Sequence, residues 1–103
     1  MELRFHAKAR SDFDEIWTYV AHDRGTVVAD RLLEGIYDVL LRTVLRQPTI
    51  GRKRPEFGED VRSYPIVPYV AFYRLNHSRA TILRVLHGRR DLKRPLMSLL
   101  TAM

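Results

Sequence analysis

The chain has 103 residues, of which 46% are hydrophobic and 29% are charged, and its formal net charge is +6. This composition is typical of a folded domain, and the absence of cysteine excludes disulfides and thiolate metal sites. No apolar run approaches the roughly 20 residues of a membrane-spanning helix, and the charged N-terminus MELRFHAKAR is unlike a secretory signal, so we expect one cytoplasmic domain over residues 1–103.

The first half of the chain predicts a strand followed by two helices. Residues 2–7, ELRFHA, alternate apolar and polar side chains, as a half-buried strand does. Ser11 is typical of a helix N-cap. The acidic residues after it, which the helix dipole favours in a first turn, are Asp12, Asp14 and Glu15. Gly25 suits the end of this helix and Thr26 the start of the next, and so short a connection requires an antiparallel hairpin.

The second half predicts β-structure. Residues 49–61 carry glycine, proline and mixed charge and are expected to form a loop. Residues 62–75 are β-rich, with prolines that suit an edge or a bend, and NHSR at 76–79 is a hairpin turn before a partner strand. The fold class is therefore α+β, in which an N-terminal strand precedes an antiparallel helical hairpin packed on a mostly antiparallel sheet of about four strands.

The residues that could support catalysis or bind a metal are sparse. The four histidines do not share a ligand spacing with one another or with an acidic pair on a helix face. The acidic clusters are explained by helix capping and by neighbouring cations, and the serines lack the strand–turn–helix glycines of a nucleophile. No glycine-rich phosphate loop is present. We predict no metal, no cofactor and no catalytic residue.

Arginine dominates the basic residues and offers a planar fork of donors suited to carboxylates and phosphates. Arg74 and Arg84 lie on predicted strands, and Arg89 and Arg90 follow the last strand. Strand ends could bring them to one side of the sheet as a site for an anionic partner. A solubilising basic rim is the alternative, and charge alone does not choose between nucleic acid and an acidic protein.

Four segments resemble the ParE-type toxins of the RelE/ParE superfamily. They are DFDEIWTYVA, ADRLLEGIYDVLLRT, QPTIGRKRPEF with VRSYPIVPYVAFYRL, and ILRVLHGRRDL. The resemblance runs in order from residue 1 to about residue 94, and its last motif is the most specific. It implies a toxin of a bacterial type II toxin–antitoxin module, with DNA gyrase as target and an acidic ParD-like ribbon-helix-helix antitoxin. Sequence-specific nucleic-acid binding by the toxin itself is not expected.

The superfamily also contains RelE-type endoribonucleases, which cut messenger RNA on the ribosome. These enzymes generally carry a tyrosine or histidine near the C-terminus, whereas the last tyrosine here is Tyr73, and Val70 stands where a catalytic arginine is expected. The ribonuclease alternative therefore depends on His87 alone. Because no acid–base partner accompanies it, we expect His87→Ala to leave growth inhibition largely intact.

Two sets of residues are candidates for protein contacts. The predicted target-binding residues are Arg74, Arg84, His87, Arg89 and Arg90. A helical hairpin on a sheet leaves apolar grooves and a strand edge that can accept an amphipathic helix or an added strand. The predicted antitoxin-binding residues on the hairpin are Trp17, Val20, Leu33, Ile36 and Leu40.

The tail, residues 94–103, reads RPLMSLLTAM. Its apolar residues Leu96, Leu99, Leu100 and Met103 fall on one stripe of a short helix. So short a helix is not stable alone in water. We expect it to dock on its own domain or to contact the target or the antitoxin.

Overall fold

A computed structural model describes residues 1–91 of the chain, so the predicted tail helix lies outside the described residues. The strands are β1 (Glu2–Phe5), β2 (Arg52–Lys53), β3 (Val61–Ile66), β4 (Tyr69–Asn76) and β5 (Arg79–His87). The helices are α1 (Ala7–Arg24) and α2 (Thr26–Val39), and α2 continues into a π-helical turn, Leu40–Val44. Short 3-10 turns occupy Pro48–Ile50 and Pro55–Phe57. Among the described residues, none of the helices combines the length and the hydropathy needed to cross a membrane.

The predicted α+β class is confirmed. The sheet order is β1-β5-β4-β3-β2; β1 lies parallel to β5 after the helical crossover, and the other pairings are antiparallel. The fifth strand, β2, was missed because only two residues of the predicted loop pair with β3. Pro65 lies in β3 beyond the pairing with β2, and Pro68 ends the turn into β4, so both prolines avoid an interior ladder position.

The start of α1 differs from the prediction. The helix begins at Ala7, and the N-cap is His6, whose Nδ1 accepts a hydrogen bond from the Lys8 amide at 3.1 Å. Residues 7–10, AKAR, are strong helix formers and extend the helix upstream of Ser11. Asp12 therefore lies in the second turn, where the helix dipole does not explain it. The predicted end is confirmed, because Gly25 has a φ of 96° and its amide donates to the Ala21 carbonyl.

The core lies between the helical hairpin and one face of the sheet. Apolar side chains recur on α1 and α2 at helical spacing and on β4 at every second residue. The buried cluster comprises Ala9, Phe13, Ile16, Ile36, Leu40, Val44, Tyr69, Ala71, Tyr73, Ile82 and Val85. Burying each large member stabilises the fold by roughly 1.5–3 kcal/mol.

A buried tyrosine anchors the segment between α2 and β2 to the sheet. The hydroxyl of Tyr73 donates to the Pro48 carbonyl at 2.8 Å and accepts from the Gly51 amide at 3.0 Å. Burial raises the pKa of Tyr73, so the phenol keeps its proton and remains a donor. A Cβ on Gly51 would lie 2.2 Å from the tyrosine oxygen, so this close approach requires glycine.

Tyr73→Phe is expected to lower the free energy of unfolding by about 1–3 kcal/mol, because a buried amide and a partly buried carbonyl lose their partner. Urea denaturation measures the effect. Tyr19→Phe is the matched control. Tyr19 is 62% exposed, so water can bind any group that its hydroxyl contacts. Equal midpoints for the two variants would contradict the anchoring role.

Candidate functional site

The segment after β5 forms a defined turn. We call residues 88–91 the arginine turn. The Nδ1 atom of His87 accepts hydrogen bonds from the amides of Arg89 and Arg90, both at 3.2 Å. In return, Asp91 Oδ2 accepts from the His87 amide at 2.7 Å, and the Asp91 amide donates to the His87 carbonyl. His87 and Asp91 therefore close the turn from both ends.

The imidazole of His87 acts here as a hydrogen-bond acceptor. Accepting at Nδ1 requires that this nitrogen carry no proton, which places the proton of the neutral ring on Nε2. The ring also packs edge-on against Tyr69, with the centroids 5.5 Å apart. Burial raises the pKa of Tyr69, which disfavours the phenolate that a general base would require.

The two arginines of the turn differ in their surroundings. The Arg90 guanidinium lies over the ring of Tyr19 on α1, 5.3 Å from its centroid. The side chain of Arg89 is exposed. The Gly88 amide donates to the Pro68 carbonyl at 2.8 Å, which ties the arginine turn to the β3–β4 turn. The contact with Tyr19 therefore restrains the Arg90 side chain, whereas the Arg89 side chain is accessible from solvent.

Arg84, which was predicted to bind the target, lies largely in the interior rather than on this surface. Its Nε and Nη2 atoms donate to the two carboxylate oxygens of Asp12, each at 2.8 Å. Both side chains are largely buried, at 15% and 7% exposure. The hydrogen bond to Asp12 raises the pKa of Arg84, against the opposing effect of burial. Asp12 Oδ2 also accepts from the Val85 amide at 3.0 Å.

Arg74 is exposed but lies elsewhere. Tyr69 pairs with His87 at one end of β4, and Arg74 pairs with Thr81 five positions further along the strand. That separation corresponds to about 17 Å at the rise of an extended strand. The structure therefore brings His87, Arg89 and Arg90 together, and it does not bring Arg74 to them.

The predicted antitoxin-binding residues divide into two groups. Ile36 and Leu40 are 1% and 0% exposed and pack in the core, so a partner cannot contact them while the fold is intact. Trp17, Val20 and Leu33 are partly exposed. The indole of Trp17 also donates to Asp30 on α2 at 2.8 Å, which fastens the two helices together.

Sequence reasoning missed a groove beside β1, which is the strand at one end of the sheet order. We call it the β1 groove; its volume is about 420 Å³ and it is lined by Phe5, Arg10, Phe13, Asp14, Leu33 and Tyr37. Tyr37 stacks on Phe13 with centroids 5.0 Å apart. The available signal was the helical spacing of Tyr37 four residues after Leu33, which extends the apolar face of α2. Within residues 1–91, no group of three or more histidine or acidic side chains is arranged to hold a metal.

Comparison with known proteins identifies the family. A profile described as "ParE toxin of type II toxin-antitoxin system, parDE" matches residues 3–92. The chain belongs to this toxin family. Toxin ParE3 of Caulobacter vibrioides is 33% identical over 81 residues, which are 79% of this chain and 80% of that toxin. The resemblance to ParE-type toxins of the RelE/ParE superfamily is therefore confirmed.

Two solved structures have a similar fold. The chromosomal ParDE toxin–antitoxin system from P. aeruginosa contains a chain that superposes with a TM-score of 0.70 at 24% identity, covering 84% of this chain and 95% of that chain. The RelBE2 toxin–antitoxin complex from Mycobacterium tuberculosis contains one with a TM-score of 0.64, at the same identity and coverage. Both comparisons support the RelE/ParE fold of this ParE-type toxin.

Asp12→Ala is expected to lower the free energy of unfolding by about 3–5 kcal/mol, because it leaves a buried guanidinium without its carboxylate. A double-mutant cycle with Arg84→Ala, measured by urea denaturation, should give a coupling energy of about 1–3 kcal/mol. Asp38→Ala is the matched control, since its ion pair with Arg42 is exposed and is worth less than about 1 kcal/mol. Additive effects of Asp12→Ala and Arg84→Ala would refute the coupling.

The hydrogen bonds that His87 accepts from Arg89 and Arg90 change the expected effect of His87→Ala. His87→Ala should reduce growth inhibition by about tenfold, because the exposed amides of Arg89 and Arg90 lose the acceptor that orders the turn, and a less ordered turn loses more conformational entropy on binding. His87→Asn should retain inhibition to within about threefold, because an asparagine oxygen can accept a backbone amide two residues on but cannot act as an acid or base. Induction of each variant in cells, at matched protein levels, measures the inhibition. Equal loss in both variants would indicate acid–base chemistry instead.

Proposed function

We propose that this ParE-type toxin inhibits DNA gyrase by binding it through the arginine turn, without a catalytic centre of its own. We further propose that an acidic, ParD-like ribbon-helix-helix antitoxin neutralises it. The observation that carries the proposal is the double closure of the turn, in which His87 and Asp91 hold the backbone around Arg89 and Arg90. The family resemblance supplies the identity of the target and of the antitoxin.

The closed turn favours protein binding for two physical reasons. A turn already held in its bound shape loses less conformational entropy when a partner docks. Arginine, with a planar fork of donors and a polarisable face, is among the residues that contribute most to protein interfaces. The net charge of +6 also steers acidic partners toward the toxin.

The ribonuclease alternative requires a positioned acid, a positioned base and a cation on the scissile phosphate. Three basic side chains on or beside the sheet have structural partners instead. Arg84 is paired with Asp12, Arg54 donates to the Ser63 hydroxyl at 2.9 Å, and Arg62 donates to the carbonyls of Thr49 and Gly51. These hydrogen bonds favour the gyrase proposal, while the shared fold keeps the ribonuclease as the alternative to test.

The β1 groove is the surface at which we expect the antitoxin to bind. Phe5, Leu33 and Tyr37 offer apolar contacts there, and within residues 1–91 β1 has a neighbouring strand on one side. A chain that is disordered when free can add a strand to such an edge and place alternate side chains in the groove. Arg10 is exposed at this groove and suits an acidic chain, and Arg4, which pairs with Glu2, is exposed on β1.

The purified toxin should block supercoiling by gyrase and should leave messenger RNA intact in a translation extract. Arg89→Glu should weaken the block by about tenfold or more, because it removes an exposed arginine and repels an acidic surface. Arg74→Glu is the matched control, since it makes the same charge change at an exposed arginine away from the turn. Intact supercoiling together with site-specific RNA cleavage would establish the ribonuclease alternative.

Antitoxin binding should combine salt-sensitive and salt-resistant parts. Co-expression with the product of the adjacent small gene should yield a complex that tightens at low salt and persists at high salt, because apolar anchors are not screened. Tyr37→Asp should weaken this complex strongly, whereas Asp91→Asn should not. Calorimetry in two salt concentrations measures both effects. Failure to form any complex under mild conditions would contradict the antitoxin proposal.

A further inference from the structure

One end of the molecule gathers three chain reversals. α1 passes into α2 at Gly25, β3 passes into β4 at residues 67–68, and β5 passes into the arginine turn. A groove of about 380 Å³ lies between the α1–α2 connection and the β3–β4 turn, and we call it the end groove. Its apolar lining is formed by Tyr19, Val20, Val28, Leu32, Pro68 and Tyr69. The stack of Arg90 on Tyr19 and the hydrogen bond between Gly88 and Pro68 join the arginine turn to this groove.

Exposed apolar side chains are concentrated at this end. Val67 is 88% exposed, Tyr19 is 62%, Val27 is 61% and Val28 is 40%. They are four of the eight large apolar side chains that are exposed within residues 1–91. Turn tips usually carry polar residues, and a contiguous apolar surface rimmed by polar groups is typical of a protein-binding site.

The arginine turn adds a net positive charge next to the end groove. Asp23 and Arg24 lie 3.7 Å apart and offset each other in charge. Asp91 receives the His87 amide and faces Arg90 at 3.4 Å. Arg89 is exposed on the same turn and adds a positive charge to it. An apolar centre with cations at its edge suits an acidic surface that carries a bulky apolar side chain.

We propose that the end groove and the arginine turn together form the docking surface for the folded target protein of this toxin. A bulky apolar side chain of the target enters the groove, and acidic residues around it meet Arg89 and Arg90. The inference rests on the proposed function above and specifies the surface that performs it. It assigns Val67, Val27 and Tyr19 to target binding, in addition to the arginines.

The backbone explains why the occupant is the folded target rather than the antitoxin. At this end the chain turns back on itself, and the Gly88 amide and the Pro68 carbonyl are already bonded to each other. A partner at this end must therefore be recognised through side chains, which suits a partner whose surface is already folded. A disordered antitoxin gains most from a strand edge, and β1 provides one beside Phe5 and Tyr37, on the other half of the hairpin.

Val67→Glu tests the proposal. We expect it to weaken the inhibition of gyrase supercoiling by at least about tenfold, because it places a negative charge on the exposed residue next to Pro68 at the edge of the groove and repels an acidic partner. The melting temperature and the affinity for the antitoxin should stay at wild-type values. His77→Glu is the matched control, since His77 is exposed at the first position of the other two-residue turn of the sheet. Val27→Glu repeats the test on α2 should Val67→Glu fail to fold.

Each other outcome overturns the docking surface. Wild-type inhibition by both acidic variants would exclude the end groove from the target interface. Loss of antitoxin binding with inhibition retained would make the antitoxin the occupant. A fall of several degrees in melting temperature for both would show that the chain's own packing covers this surface.

A wild-type toxin that leaves gyrase active would refute the proposed function instead. The docking surface is then tested by growth inhibition in cells. Growth inhibition by Val67→Glu must be at least about tenfold weaker than growth inhibition by His77→Glu. Equal inhibition by the two variants would refute the proposed docking surface, whatever the target is.

Discussion

The carboxylate of Asp12 joins the first helix to the last strand, and the rest of the arrangement depends on it. β1 pairs with β5 only as far as Ile82, whose carbonyl accepts the His6 amide at 2.9 Å. Beyond that point Asp12 accepts the Val85 amide and both donors of Arg84. A side chain of α1 thus satisfies a strand amide past the end of β1, and leaving that amide unpaired would cost about 1–3 kcal/mol.

These hydrogen bonds between Asp12 and β5 also fix the position of the end of β5. Val85 is two residues before His87, so fixing its amide on α1 fixes the start of the arginine turn. Tyr19 lies two helical turns after Asp12 on the same helix and receives Arg90 on its ring. The hairpin therefore contacts both the end of β5 and the side chain of Arg90, which restricts the conformations of the arginine turn.

The same hairpin presents surfaces of two kinds, and the proposals assign one partner to each. The β1 groove combines apolar side chains with a strand edge, which suits a chain that folds as it binds. The end groove combines apolar side chains with arginines on closed turns, which suits a preformed surface. A toxin must bind a target and also be neutralised, so two surfaces of different chemistry let each partner be recognised by its own physical features.

Local pattern in the sequence determined the helical hairpin, the β4–β5 hairpin and the α+β class, because periods of 3.6 and 2 are expressed within a few neighbouring residues. The ILRVLHGRRDL motif likewise indicated the family and predicted that His87, Arg89 and Arg90 lie close together. Only the tertiary structure decided that Arg84 pairs with Asp12, 72 residues away, and that Ile36 and Leu40 belong to the core. Partners so distant in sequence meet only after the sheet and hairpin pack, and no local pattern encodes which side chains that packing buries.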